Sequence, residues 1–214
     1  MDVCCPVEPL SSLAGFSWRL LTHDEPTAAA QMAFDEGLVA EGIPTLRLFR
    51  WHAPAISVGY RQRLPEWADP VRLRSSGVEW VERPTGGGIA VHGSDLSCAM
   101  VVPRHPSLRL RVVMEQTCER FAHVCRSVGA DVQWRVEMPR SSPIVYCLTE
   151  PSPYALTVNG RKLCGFAVRA YTAAWLIQGS LLVQPLPEAI RAVMPESVRF
   201  DYETRAVCLE QAVG

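Results

Sequence analysis

The chain has 214 residues, enough for one full-sized domain, and its 48% hydrophobic and 20% charged residues exclude a disordered or fibrous protein. With 21 Lys and Arg against 22 Asp and Glu the formal net charge is −1, which argues against nucleic-acid binding as the main task. No apolar run reaches the ~18 residues of a membrane-spanning helix, so no membrane partner is expected.

The start, Met1-Asp2-Val3-Cys4-Cys5-Pro6, lacks the basic end and apolar core of a signal peptide, and a cytoplasmic location is expected. Residues 1–15 read as a loose leader and 16–214 as a single domain. A strand is expected at 16–21, then an amphipathic helix over 27–41 that carries Ala28, Met32, Ala33 and Val39 and stops at Gly42. Strands follow at 45–51 and 55–59, a short helix between 65 and 75, and strands at 78–82, 89–91 and 97–102. The longest helical pattern spans 107–128. Its stripe is Leu110, Val113, Met114, Thr117, Cys118, Phe121, Val124, Cys125 and Val128. Beyond Gly129 the pattern turns to strands at 131–137, 144–148, 154–158, 162–168 and 174–183, with a loop at 139–143 and one short helix after Pro187. The sum is an α+β fold: a mixed, largely antiparallel sheet with flanking helices.

Eight cysteines stand at 4, 5, 98, 118, 125, 147, 164 and 208, with no Cys-x-x-Cys and no histidine at metal-ligand spacing from any of them. A zinc site is not expected. Most read as reduced, buried, small apolar residues, Cys118 and Cys125 on the helix stripe among them.

Three segments can carry chemistry. In Glu82-Arg83-Pro84-Thr85-Gly86-Gly87-Gly88-Ile89-Ala90-Val91-His92, three successive glycines lack a Cβ, so backbone N–H groups can approach a ligand; the same run also suits a flexible turn. It is neither a Walker loop nor a Rossmann fingerprint. Arg83 either neutralises an anionic ligand or solvates the surface, and His92 is either a site residue or a satisfied half-buried histidine. The second segment centres on Asn159-Gly160, the strongest short hairpin signal, which pairs Val158 with Arg161 and Thr157 with Lys162. Strict alternation then puts Lys162 on one face with Ala155, Thr157, Cys164 and Phe166. A lysine among apolar neighbours implies a ligand, or else an edge strand guarded by charge. In the third segment, Tyr146-Cys147-Leu148-Thr149-Glu150-Pro151-Ser152-Pro153, Cys147 ends an apolar strand and enters a proline-bounded loop. It is either an acyl-accepting nucleophile with Lys162 as a nearby cation, or an inert cysteine; Cys164 competes for the role.

Taken together, these segments resemble the lipoate–protein ligase and octanoyltransferase family. Arg83-x-Thr85-Gly86-Gly87-Gly88-x-x-x-His92 is similar to its glycine-rich motif, and Asn159-Gly160-Arg161-Lys162-Leu163-Cys164-Gly165-Phe166-Ala167 to its Lys-x-x-Gly-x-Ala motif. Gln178-Gly179-Ser180-Leu181-Leu182 resembles its His-Gly-Ser/Thr-Leu-Leu segment, and Gln31-Met32-Ala33-Phe34-Asp35-Glu36 its Asn-Met-Ala-x-Asp-Glu helix. Residues 45–62, with Pro54 and Ser57-Val58-Gly59-Tyr60, also fit, and the match runs in order from about Phe16 to Gln184.

The resemblance implies a biotin/lipoate protein ligase-like catalytic domain. Cys147-Leu148-Thr149-Glu150-Pro151-Ser152-Pro153-Tyr154 keeps the Cys, Pro, Ser and Tyr of the cysteine-dependent octanoyltransferases, whose segment reads Cys-Phe-Asp-Ala-Pro-Ser-x-Tyr. That branch implies a cytoplasmic acyltransferase in which Cys147 takes octanoyl or lipoyl from acyl carrier protein as a thioester. The acyl group then passes to a lysine of a lipoyl-domain protein, such as glycine cleavage H protein or a 2-oxoacid dehydrogenase E2 subunit. Lys162 would hold the thioester carbonyl and stabilise developing oxyanion charge. The implied substrate-binding residues are Arg83, Thr85, Gly86, Gly87, Gly88, His92, Gly165, Gln178 and Gly179, with no metal and no cofactor.

The alternatives are an ATP-dependent ligase, using ATP and Mg to make lipoyl-adenylate, or a non-catalytic acyl-binding relative. Many ligases carry a further C-terminal domain or a separate accessory chain, and this chain ends 30 residues after Gln184. Three positions depart from the family pattern. Glu82 stands for a second arginine, Gly93 for the aspartate after the histidine, and Gln178 for the histidine of the third motif, which removes a titratable group.

Overall fold

Thr27 starts the first long helix, its hydroxyl accepting the Ala30 N–H at 3.2 Å, and Gly42 ends it. In the computed structural model, which describes residues 12–135, 147, 149, 152 and 154–213, this helix, α1 (Ala28–Glu41), links two parallel strands, β1 (Arg19–Thr22) and β2 (Thr45–Phe49). Its inner face buries Ala28, Gln31, Met32, Asp35 and Leu38 at helical spacing. Two of these are polar because β2 delivers a fully buried Arg47 beneath them. The guanidinium donates to Asp35 Oδ1 at 2.6 Å and to the Gln31 side-chain oxygen. A cation stays inside a fold only with such partners.

The same strand–helix–strand unit recurs in β3 (Ala55–Val58), α2 (Pro70–Ser75) and β4 (Glu79–Glu82), again with parallel strands. Asp69 caps α2 by accepting the Val71 and Arg72 N–H groups at 3.0 Å, and Pro70 fits the first turn. Antiparallel β5 (Ala90–His92) completes a three-stranded sheet of order β4-β3-β5.

The larger sheet adds β6 (Asp95–Pro103), β7 (Gln133–Arg135), β8 (Ala155–Val158), β9 (Arg161–Ala170) and β10 (Ala174–Leu182), in the order β1-β2-β6-β10-β9-β8-β7. All its pairs except β1–β2 are antiparallel. The α+β class with a mixed, largely antiparallel sheet is thus observed, divided over two sheets. Central β10 is buried at every residue, so it is apolar nearly throughout, and its Gln178 and Ser180 face polar partners inside the fold.

Three sequence expectations change. Helix α3 (Leu110–Ser127) turns its buried arc toward Cys118, Ala122 and Cys125, leaving Val124 and Val128 half-exposed at its margin. The single helix expected after Pro187 is three: α4 (Glu188–Val193), α5 (Glu196–Arg205) and α6 (Leu209–Val213). Helix α5 buries no residue and so leaves no strong apolar stripe to read. Residues 12–15 are not a loose end: Leu13 is buried in the core and its N–H donates to the Gln116 side chain at 2.7 Å. Cys4 and Cys5, the loop at 139–143 and most of the strand expected at 144–148 lie outside the described residues.

Candidate active site

Arg83 leaves β4 directly beneath the glycine-rich loop and organises it. One guanidinium nitrogen donates to the Ser57 carbonyl (3.2 Å) and hydroxyl (3.1 Å), the other to the Gly86 and Gly88 carbonyls, both at 2.8 Å. The loop is also laced to the end of β3, Gly59 N–H donating to Gly88 O at 3.2 Å and Tyr60 N–H to Thr85 O at 2.8 Å. Gly86 and Gly88 therefore spend their carbonyls on the protein itself. Burial pushes the Arg83 guanidinium below its ordinary value, and the sulfur of Cys147 opposes that shift.

Cys147 sits against this loop. Its N–H donates to Ile89 O at 2.9 Å, and its Sγ accepts the Gly88 N–H at 3.0 Å and an Arg83 N–H at 3.4 Å. Lys162 approaches the same residue from the other side, its ammonium donating to Cys147 O and to Ser152 Oγ.

The hairpin forms as the sequence requires, with Val158 opposite Arg161 and Thr157 opposite Lys162. A register shift between Leu156 and Thr157 then breaks the alternation, so that Leu156 pairs with Cys164. Lys162 consequently lies over Gly165, where an added Cβ would meet its Cε at 3.0 Å. The expectation that Lys162 and Cys164 share a face is corrected by this bulge. Cys164 is instead buried in a core cluster with Leu156 and Leu163, where burial pushes its thiol well above the ordinary value.

These side chains open onto a cavity of about 300 Å³. Met32, Phe49, Trp51, Met114 and Phe166 give it apolar walls, and Cys147, Lys162, Arg83 and His92 a polar end. Gly86, Gly87, Gly165, Gln178 and Gly179 also line it, Gly179 leaving room for the Phe166 ring. Thr85 is placed differently: fully buried, it donates its hydroxyl to Gln178 Oε1 at 2.7 Å.

The departures from the family pattern now have structural readings. Gln178 donates to Asp35 Oδ2 at 2.7 Å while accepting from Thr85, so a neutral amide ties the glycine loop to the Asp35–Arg47 pair. Burial pushes the Asp35 carboxyl up to about 6 against the opposing pull of Arg47 and Gln178. Gly93 holds φ +120°, and a Cβ there would press on Pro187 and Pro54 at 3.1 Å. The carboxylate that meets His92 comes instead from Asp95 (Nδ1···Oδ2 2.9 Å). Glu82 is exposed.

Sequence reasoning missed Ser57, Asp95, Ser180, Asp35 and Trp51. His92 Nε2 meets Ser57 Oγ at 2.8 Å, and its ring stacks on Trp51 with centroids 4.1 Å apart. Asp95 also accepts from the hydroxyls of Ser97 (2.8 Å) and Ser180 (2.7 Å) and from Gly93 N–H (3.1 Å). Burial alone would raise the Asp95 carboxyl, but His92 and the two hydroxyls hold it below its ordinary value. Asp35, Ser57 and Ser180 lay inside segments that fit the family pattern without being singled out, and the spacing His92-x-x-Asp95 was a local signal for Asp95.

Gly87→Ala is expected to slow alkylation of Cys147 by at least about tenfold more than Gly86→Ala does. Gly87 holds φ +90°, and a Cβ there would stand 2.9 Å from Cys147 Sγ and 3.0 Å from the Arg83 guanidinium, whereas one at Gly86 meets nothing within 4 Å. Equal rates in the two variants, measured by mass after iodoacetamide treatment, would show that the loop does not shape the sulfur's surroundings.

Residues 27–213 match the lipoyl protein ligase A/B catalytic domain. The chain is 31% identical to Octanoyltransferase LipM of Kyrpidia tusciae, over 92% of this chain and 80% of that protein. It is 27% identical to Octanoyltransferase LipM of Staphylococcus aureus, over 92% and 78%. In fold it is similar to lipoate-protein ligase A bound with ATP (TM-score 0.74, 21% identity, 91% of this chain and 77% of that one). It is also similar to the bi-partite lipoate protein ligase of Thermoplasma acidophilum (TM-score 0.70, 20% identity, 93% and 77%).

Proposed function

The chain belongs to the lipoyl protein ligase A/B catalytic-domain family, and from that premise we propose that it is a protein octanoyltransferase working through a thioester on Cys147. The observation that carries the reading is Cys147 Sγ at the polar end of an apolar cavity, facing the Gly88 N–H and the Arg83 guanidinium. A thiol so placed can attack the carbonyl of an acyl thioester whose chain fills the cavity. The donor's thiol leaves with the proton that Cys147 gives up, and the octanoyl group stays on Sγ.

In the second half, the amine of an acceptor lysine attacks the same carbonyl. An amide forms, one amine proton returns to the sulfur, and Cys147 is regenerated. Lys162, bonded to Cys147 O and Ser152 Oγ, puts a positive charge beside the centre where oxyanion charge develops in both halves. Arg83, Gly86 and Gly87 shape the thioester end of the cavity, while Gly165 and Gly179 make room for Lys162 and Phe166.

The donor on this reading is acyl carrier protein, and the acceptors are lipoyl-domain proteins, glycine cleavage H protein or 2-oxoacid dehydrogenase E2 subunits. ATP is not required, because the donor thioester is already activated. Among the described residues no helix is long and apolar enough to cross a membrane.

The test is the intact mass of the protein after incubation with octanoyl-acyl carrier protein in the absence of ATP. The expected result is a gain of one octanoyl group that hydroxylamine removes and that an added lipoyl domain takes up. No gain, with the lipoyl domain modified only when ATP, Mg and free acid are supplied, would overturn the reading in favour of a ligase.

A further inference from the structure

The hydrogen bonds around His92 join Asp95, Ser57 and Arg83 in one chain, and Arg83 also donates to the Cys147 sulfur. We infer that Ser57, His92 and Asp95 form a positioning relay that aims the Arg83 guanidinium at Cys147 Sγ. The inference deepens the proposed function and rests on Cys147 as the nucleophile.

Asp95 anchors the chain. An ionised carboxylate only accepts, so the His92 Nδ1 facing its Oδ2 carries a proton, and in the neutral imidazole Nε2 is the acceptor. Arg83 can only donate, so the Ser57 oxygen accepts from it and keeps its own hydroxyl proton for that Nε2. Arg83 has no acceptor of its own and supplies the last donors, to the glycine-loop carbonyls and to Cys147 Sγ. The donors run one way from Arg83 through Ser57 and His92 to Asp95, and the other guanidinium nitrogen of Arg83 donates to the sulfur.

The frame around the relay is rigid. Trp51 stacks on the imidazole, and its indole N–H donates to Ser97 Oγ at 2.9 Å. Ser97 in turn donates to Asp95, closing a ring of contacts around His92. The relay residues are buried and come from β3, β5 and the first residue of β6, so the two sheets together hold the geometry. Both ring nitrogens of His92 are committed to protein partners. Its part is therefore orientation of Arg83, in place of the substrate contact that the family resemblance implies.

Inverting the relay at either end should misplace Arg83. An Asn at 95 introduces an N–H pair among groups that all donate, and it no longer imposes the tautomer. Ser57→Ala removes the hydroxyl that both takes the Arg83 N–H and serves His92, while Arg83 keeps the Ser57, Gly86 and Gly88 carbonyls that hold its place in the fold.

The experiment compares Ser57→Ala, Asp95→Asn and their double variant. It follows the rate and pH profile of iodoacetamide alkylation at Cys147, mapped by peptide mass, and pre-steady-state acyl-enzyme formation from octanoyl-acyl carrier protein. Each single change is expected to slow both processes by about tenfold or more, to alter the pH profile in the same way, and to change the KM for the donor by less than about threefold. The double variant is expected to be no slower than the slower single, because one chain broken twice is still one broken chain. If Asp95→Asn does not fold, Ser57→Ala decides. A wild-type alkylation rate and profile in Ser57→Ala, or effects that simply multiply in the double variant, would overturn the relay. Transfer activity surviving in Cys147→Ala would instead remove the nucleophile reading, so the two failures are separable.

Discussion

Cys147→Ala is expected to lower acylation of a lipoyl-domain lysine by at least about a thousandfold, with no acyl-enzyme detectable by mass. The side chain is half-buried, and the acceptor it provides for two N–H donors is its main structural contribution, so the variant should fold with its cavity intact. Among the described residues no neighbouring thiol is placed to take over. Cys98 lines the same cavity, but burial pushes its thiol up to about 12, which keeps it protonated at neutral pH. Cys164 is buried in the core with its thiol pushed well above the ordinary value. Cys147→Ser tests the same point more finely, since a hydroxyl has the shape of the thiol but needs a base, and among the described residues none is hydrogen-bonded to Sγ. Initial rates of acceptor octanoylation, with thermal melting as the folding control, decide the matter. A Cys147→Ala protein within tenfold of the native rate would end the thioester mechanism.

Lys162→Met is expected to slow both half-reactions by about a hundredfold to a thousandfold, with little change in the KM for the acyl donor. Methionine matches much of the lysine's length but offers no N–H to Cys147 O or Ser152 Oγ. On the proposed mechanism the charge is thereby lost beside the carbon that turns tetrahedral, and the loop carrying Cys147 loses its tether to β9. Lys162→Arg should not restore the rate. The side chain runs across Gly165 with its Cε 3.0 Å from where a Cβ would be, a path too tight for a planar guanidinium. The backbone is independently held, Val207 N–H donating to Lys162 O at 2.9 Å, so the strand should keep its course in either variant. Single-turnover measurement of acyl-enzyme formation and of its discharge checks each half. Native rates in both halves would leave Lys162 as a structural residue only.

Sequence reading reached a good part of this site because its motifs are contiguous. The three glycines, the Asn159-Gly160 turn and the Cys147 loop each announce a backbone shape or a reactive atom within a few residues. The hairpin register came out as the turn chemistry demands, since a two-residue turn leaves one pairing for Val158 and Thr157. The bulge beyond it did not, because nothing in Leu156-Thr157 or Lys162-Leu163 marks an irregularity that packing against the sheet imposes. The C-terminal helices were equally hidden, α5 having no buried face to give a period.

From sequence came the α+β class and most of the order of strands and helices before the C-terminal helices, read from local periodicity and turn residues, all properties of neighbours along the chain. The resemblance of its motifs to a family added the expectation that a cysteine and a lysine work beside the glycine-rich loop. Only the tertiary structure decided which face Lys162 occupies, that Arg83 spends its donors on Ser57, the loop carbonyls and the sulfur, and that Asp95 supplies the carboxylate which Gly93 cannot. It also decided that Gln178 bridges Asp35 and Thr85, residues 143 and 93 positions away. Such contacts join groups far apart in sequence. Burial makes them obligatory, because a charge or hydroxyl removed from water must find a partner wherever the fold brings one.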